Sequence, residues 1–162
     1  MKRIFGILTL LFVFLFACGF GQLAKNQQAP NFSLTTKDGK TIELAKLKGK
    51  AVLVNFWATW CGPCRAEIPD FIEVYKMYKS KGLEIVGISL DEKGWYVVKP
   101  FVESNKMNYP VVLGTQEVVQ AYGGIDGIPT TFFVNKNGKI VDQQVGMLTR
   151  KQLEEKLKSI LK

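Results

Sequence analysis

Residues 52–65 read Val52-Leu53-Val54-Asn55-Phe56-Trp57-Ala58-Thr59-Trp60-Cys61-Gly62-Pro63-Cys64-Arg65. Val52 to Trp57 is a nearly unbroken apolar run, the pattern of a central strand covered on both faces. From about Pro63 to Ser80, Ile68, Phe71, Ile72 and Tyr75 fall at i, i+3, i+4 and i+7, which predicts a helix with one buried stripe. Pro69 lies inside that helix and is expected to kink it, and Gly82 ends it. A strand therefore turns into a helix at Trp60–Cys64, with two cysteines three apart at the junction.

That placement has a physical use. Cys61 lies just before the first helical turn, where unpaired backbone N–H groups and the helix dipole favour a thiolate. Pro63 costs little in a first turn and stiffens the loop. Cys64 lies one turn on, within bridging distance. Such a pair can attack a disulfide through Cys61 and resolve the mixed disulfide through Cys64. Other readings of the pair are weaker. A zinc half-site needs two more ligands, and the chain has three Cys and no His. A c-type haem site needs His after the second Cys, where Arg65 stands. A structural bridge closing so short a loop stabilises little.

Working outward, Glu84 to Leu90 predicts the next strand, completing a βαβ unit. Phe32-Ser33-Leu34 and Thr41-Ile42-Glu43 flank the turn signal Lys37-Asp38-Gly39, a small hairpin. A helix within Trp95–Ser104 is expected to be interrupted by Pro100. Val111–Leu113 reads as a short strand and Glu117–Tyr122 as a short helix. Thr130–Asn135 and Lys139–Val145 are joined by Asn137-Gly138, a hairpin signal. Thr149 and Gln152 form a capping box for a last helix whose Leu153, Leu157, Ile160 and Leu161 face the core.

The chain has 162 residues, 47% hydrophobic and 22% charged, which predicts one globular domain. Without His there is no Ser-His-Asp triad and no His-ligated metal or haem. No metal and no cofactor are expected. The net charge of +8 comes from scattered lysines, a solvated surface near anionic lipid; no RNA- or DNA-binding motif accompanies it, so no nucleic acid partner is expected.

The N-terminus reads as targeting. Lys2 and Arg3 precede the uncharged run Ile4 to Ala17, the length of a signal-peptide h-region. Leu15-Phe16-Ala17-Cys18 resembles a bacterial lipobox, with Cys18 as the lipidated residue; Phe16 is bulkier than that pattern usually takes. The rival is an uncleaved anchor, since Ile4 to Ala24 is long enough to cross about 30 Å of hydrocarbon. Either way the remainder is expected outside the cytoplasmic membrane and tethered to it. The expected organisation is residues 1–24 as signal or anchor, 25–30 as a tether and 31–162 as one domain.

The quoted stretch resembles the thioredoxin superfamily. The wider pattern, over roughly residues 28–162, resembles the TlpA/ResA-like branch of membrane-tethered extracytoplasmic thioredoxins. Its marks are Ala29-Pro30-Asn31-Phe32, the hairpin, Lys48-Gly49-Lys50, Cys64-Arg65-Ala66-Glu67-Ile68-Pro69, an insertion after the second strand, and Gly127-Ile128-Pro129-Thr130. The resemblance implies an α/β thioredoxin fold: a central mixed sheet flanked by helices, with an N-terminal hairpin and a central insertion. It implies a thiol-disulfide oxidoreductase with a Cys61–Cys64 disulfide. It implies a cis Pro129 beside the pair, the backbone before it holding an extended substrate. It implies that Glu67 handles protons and that Trp60 contacts substrate, with Gly62, Pro63, Ile128 and Thr130 completing the binding surface. Trp57 is read as core.

One departure stands out. Cytoplasmic thioredoxins carry a buried Asp and Lys beneath the pair, and the matching positions here are Asn55 and Gly87. An amide cannot take a proton as a carboxylate does, which shifts the weight to Glu67 or water. Family analogy suggests reduction of client protein disulfides, apocytochrome c among them, fed by a membrane thiol donor of the cytochrome-biogenesis type. Oxidase or isomerase work would use the same residues. A peroxiredoxin would want Pro and Thr or Ser at the places of Val54 and Ala58. A non-enzymatic scaffold lipoprotein would use the pair only structurally. Trp95, Tyr96 and Tyr109, in the 91–126 insertion, are candidates for either docking surface or core.

Overall fold

The computed structural model describes residues 25–162. The targeting segment and Cys18 lie outside the described residues, and no described helix is long and apolar enough to cross a membrane.

Five strands form the main sheet in the order β5-β4-β3-β6-β7. The central strand β3 (Ala51–Trp57) is buried at every position. It pairs parallel with β4 (Leu83–Ser89), which pairs parallel with β5 (Val111–Leu113). On its other side β3 pairs antiparallel with β6 (Thr130–Val134), and β6 with β7 (Ile140–Val145). A separate hairpin, β1 (Ser33–Thr35) and β2 (Thr41–Glu43), lies before it in sequence. This is the mixed α/β sheet of a thioredoxin fold.

The side-chain period of two splits the core. Ala51, Leu53 and Trp57 of β3 face α1 (Gly62–Tyr78) and α4 (Arg150–Ile160). Val52, Val54 and Phe56 face the hairpin, α3 (Gln116–Ala121) and the Phe56–Tyr122–Phe132 aromatic cluster. Both faces need apolar cover, which is why β3 has almost no polar residue.

Some local expectations are corrected. The buried stripe of α1, one continuous helix with Pro69 inside it, takes Val74, with Ile72 only partly covered. α2 (Trp95–Ser104) is likewise one continuous helix. Pro100 is exposed there, so the carbonyl it leaves unbonded can turn to water while Val98 and Val102 anchor the buried side. The β6–β7 loop spans Asn135–Lys139 and is wider than a two-residue turn. Gly138 takes φ 77°, and Asn135 Oδ1 accepts the N–H groups of Asn137 and Lys139 at 3.0 Å each. The capping box of α4 is present, with Thr149 and Gln152 bonding each other's backbone N–H.

Residues 26–29, expected within a tether, are bonded to the sheet. Asn26 N–H donates to the Ile140 carbonyl at 2.7 Å and Ala29 N–H to the Gly138 carbonyl at 2.9 Å. In the insertion, Tyr109 is core, packed between Phe71 and Tyr75, and Trp95 is half-buried against the same cluster. Tyr96 alone of the three lies on the surface, 84% exposed.

Candidate active site

Cys61 is the N-cap of α1 and Cys64 lies in its first turn. Their sulfurs are joined in a disulfide. Cys64 N–H points at Cys61 Sγ across 3.2 Å. The cap acceptor is thus a sulfur, and on reduction that N–H and the helix dipole stabilise negative charge on Cys61. Cys64 is fully buried and Cys61 is 5% exposed, at the rim. A partner can reach only the first sulfur.

The other side of the rim comes from the loop before β6. The Ile128–Pro129 peptide is cis. The Ile128 carbonyl oxygen lies 3.6 Å from Cys61 Sγ. Thr130 is buried, and its hydroxyl donates to the Gly127 carbonyl at 2.6 Å. Gly146 N–H donates to the Pro129 carbonyl at 2.8 Å, tying the loop to the end of β7. Trp60, 70% exposed, precedes Cys61. Gly62 and Pro63 are exposed on the first turn, and a Cβ at Gly62 would meet open space.

Beneath the pair, Asn55 of β3 stands in register with Gly87 of β4 and Thr131 of β6. Asn55 Nδ2 donates to Glu67 Oε1 and to Thr131 Oγ1, both at 3.0 Å. Glu67 Oε2 accepts Leu148 N–H at 3.1 Å. Glu67 is only 2% exposed, one helical turn beyond Cys64 on the same α1 face. Burial pushes its carboxyl from an ordinary 4.5 up to about 7. The bonds from Leu148 and Asn55 oppose that rise, and the nearby Asp70 charge adds to it. The hydroxyl of buried Tyr109 is held well above its ordinary value, mainly by burial and also by Glu67.

The space a lysine would need is closed. A Cβ on Gly87 would lie 3.1 Å from Trp57 Nε1 and 3.3 Å from Tyr109 Cε2. Trp57 is core, stacked on Phe101 with centroids 5.4 Å apart, and its buried Nε1 has no hydrogen-bond partner among the described residues. At the lysine position of the thioredoxin pattern the space is filled by two aromatic rings, and at the acid position Asn55 bonds Glu67 and Thr131.

Sequence reasoning missed Asp91. Its buried carboxylate accepts Thr59 N–H at 2.9 Å, the Thr59 hydroxyl at 2.5 Å and the Ser89 hydroxyl at 2.8 Å. It clamps the loop that presents Trp60 and Cys61 to the segment after β4. The available signal was an acid directly after an apolar strand end, which by itself is ordinary. Among the described residues no group of three His, Cys, Asp or Glu is placed to hold a metal.

A helix-capping disulfide at the end of a central strand, beside a cis-proline loop, defines a thiol-disulfide exchange protein on a thioredoxin fold. Comparison with known proteins narrows the class. The AhpC/TSA family model matches residues 26–143. Thiol-disulfide oxidoreductase ResA of Bacillus thuringiensis (strain Al Hakam) is 44% identical over 135 residues, 83% of this chain and 77% of that protein. ResA of Bacillus subtilis (strain 168) is 41% identical over 138 residues, 85% and 76% of the two chains. A thiol:disulfide interchange protein of the thioredoxin family from Chlorobium tepidum TLS matches with a TM-score of 0.79 and 40% identity, over 86% of this chain and 99% of that one. StoA from Bacillus subtilis matches with a TM-score of 0.69 and 32% identity, over 80% and 97%. The chain belongs to the AhpC/TSA family, within its TlpA/ResA-like branch, and is a thiol-disulfide oxidoreductase.

Proposed function

We propose that this oxidoreductase works outside the cytoplasm, tethered to the membrane through residues 1–24, and reduces disulfides in client proteins. The observation that carries the reading is the asymmetry of the pair: one sulfur at the rim, the other buried one turn below it. In the reduced protein the Cys61 thiolate attacks one sulfur of a client disulfide. A Cys61–client bond forms, and the client's other sulfur leaves as thiolate. Glu67, with its carboxyl titrating near neutrality, takes the Cys64 proton. Cys64 then attacks Cys61 Sγ, closes the disulfide and releases the client's second thiolate. Two electrons pass to the client. Free thiols outside the cytoplasm tend to be oxidised, so a membrane thiol donor of the cytochrome-biogenesis type must restore the dithiol.

Trp60 and the Ile128–Thr130 loop hold the client, whose extended backbone lies against the segment before Pro129. Gly62 and Pro63 form the surface beside the attacking sulfur. The Cys-x-x-Cys-His segment of apocytochrome c is the leading client, by analogy with the branch. The peroxidase alternative is disfavoured by Val54 and Ala58, both buried and without a hydroxyl. The purely structural alternative is disfavoured because the bridge closes only a single helical turn. A Cys64→Ser variant tests the reading: it should trap clients as mixed disulfides on Cys61. Failure to trap any thiol protein in the native membrane fraction, with Cys61 reactive toward an alkylating reagent, would overturn client reduction. Mass spectrometry of the mature N-terminus tests the tether: a diacylglyceryl group on Cys18 marks a lipoprotein, an unmodified Met1 an uncleaved helix.

A further inference from the structure

Six lysines gather at one end of the domain. Gly49 N–H donates to the Lys136 carbonyl at 2.9 Å, and Ala51 N–H to the Gly82 carbonyl at 2.9 Å. These bonds gather the loops 44–50, 79–82 and 135–139 at the start of β3, the end of the sheet opposite the disulfide. Lys46, Lys48, Lys50, Lys81 and Lys139 are exposed there, with Lys136 half-buried beside them. Two acids flank these segments, and each neutralises one of the lysines: Glu43 pairs with Lys46 at 2.9 Å and Glu84 with Lys50 at 2.8 Å. Lys48, Lys81, Lys136 and Lys139 have no ion-pair partner among the described residues, which leaves that end positive. At the other end, beside Trp60, Asp91 and Glu92 stand with Lys93, and no such excess builds up there.

The N-terminal segment joins the domain on the flank of the basic end. Lys25 lies 3.8 Å from Asp142, and Gln28 Nε2 donates to the Gly138 carbonyl at 2.9 Å. Gln28 thus lies opposite Lys139 and Lys25 beside Asp142, so residues 25–28 run along the first residues of β7.

We propose that the lysine-rich end rests on an anionic lipid surface, so that the Cys61–Cys64 pair points away from the bilayer. This rests on the tether reading above. Seven residues of β3 separate the two ends, about 20 Å at the rise of a strand. Screening confines a membrane's surface potential to about 8 Å at physiological salt, so the lysines feel the lipid charge and the Cys61 sulfur does not. Each lysine at an anionic surface strengthens association by about fivefold. The tether supplies proximity; the charged end supplies orientation.

The full chain, reconstituted into nanodiscs of phosphatidylcholine alone or of phosphatidylcholine and phosphatidylglycerol in equal parts, tests this by hydrogen exchange. Amides at 46–50 and 136–139 should exchange several-fold more slowly in the anionic discs. High salt, or the combined Lys48→Glu, Lys136→Glu and Lys139→Glu variant, should abolish that difference while leaving reduction of a small disulfide reagent unchanged. Equal exchange in the two lipids overturns the orientation. A chain that enters neither disc ends the tether reading alone. In that event, sedimentation with phosphatidylglycerol vesicles that the triple variant abolishes still supports a lipid-facing end, and its absence overturns it.

Discussion

Asn55 donates to Glu67 across 3.0 Å, so a buried carboxylate on the first helix, one turn beyond Cys64, is steadied by an amide on the central strand. The buried carboxylate thus stands on a helix, while the strand position beneath the cysteines carries an amide. A strand-borne acid would be fixed by the sheet; Glu67 is fixed by Asn55 on one oxygen and Leu148 on the other.

Replacing Glu67 should change how stability depends on pH. Its carboxyl rises from 4.5 unfolded to about 7 folded. Between those values the folded chain keeps a proton that the unfolded chain has released, so stability falls as pH rises through the window. Below about 4.5 both states are protonated and nothing is lost; above about 7 the penalty is complete, roughly 3 kcal/mol at most. Glu67→Gln should flatten this decline and shift the thiol titration of the reduced Cys61–Cys64 pair. Urea titrations from acid to mildly alkaline pH give the test, and parallel curves for the two proteins would remove Glu67 from proton handling.

Asp91→Ala should loosen the active-site loop. It strands Thr59 N–H and two hydroxyls that now share one carboxylate. The cost should be about 2 kcal/mol, since a buried donor left unpaired loses its full solvation. Cys61 alkylation in the reduced protein should change rate along with it. An unchanged unfolding midpoint would mean that the clamp contributes nothing to stability.

Gly87→Ala places a methyl group 3.1 Å from Trp57 Nε1 and 3.3 Å from Tyr109. Both rings are packed, so neither can give freely, and overpacking should cost about 1–3 kcal/mol. Gly87→Lys should prevent folding rather than restore a thioredoxin-like pair. A Gly87→Lys protein as stable as wild type would show that the rings move aside.

Trp60→Ala should separate recognition from chemistry. The side chain is largely exposed, so stability should move by no more than about 0.5 kcal/mol. Reduction of a small disulfide reagent should stay within twofold, while reduction of a protein client slows about tenfold, an interface contribution on the order of 1.4 kcal/mol. Equal losses for both substrates would place Trp60 in shaping Cys61 instead.

Much of this was legible in the chain. The apolar run 52–57, the cysteines after it and the capping box at Thr149 are local patterns, set by alternation, helical period and backbone bonding within a few residues. They determined the element order, the strand-to-helix junction and the sulfur at a helix start. Three features lay beyond local reading. Glu67 looks like any acid in an early helical turn until Asn55 and Leu148, 12 and 81 residues away, close around it. Asp91 looks like a loop acid until Thr59 turns toward it. Tyr96 and Tyr109 are one residue type in one insertion, yet one is exposed and the other core. A residue's own neighbours set its backbone, whereas its solvation and its proton affinity depend on what the sheet brings up from distant positions. The sequence by itself therefore determined where the sulfur chemistry sits, and only the tertiary structure decided how the carboxylate of Glu67 is buried and held.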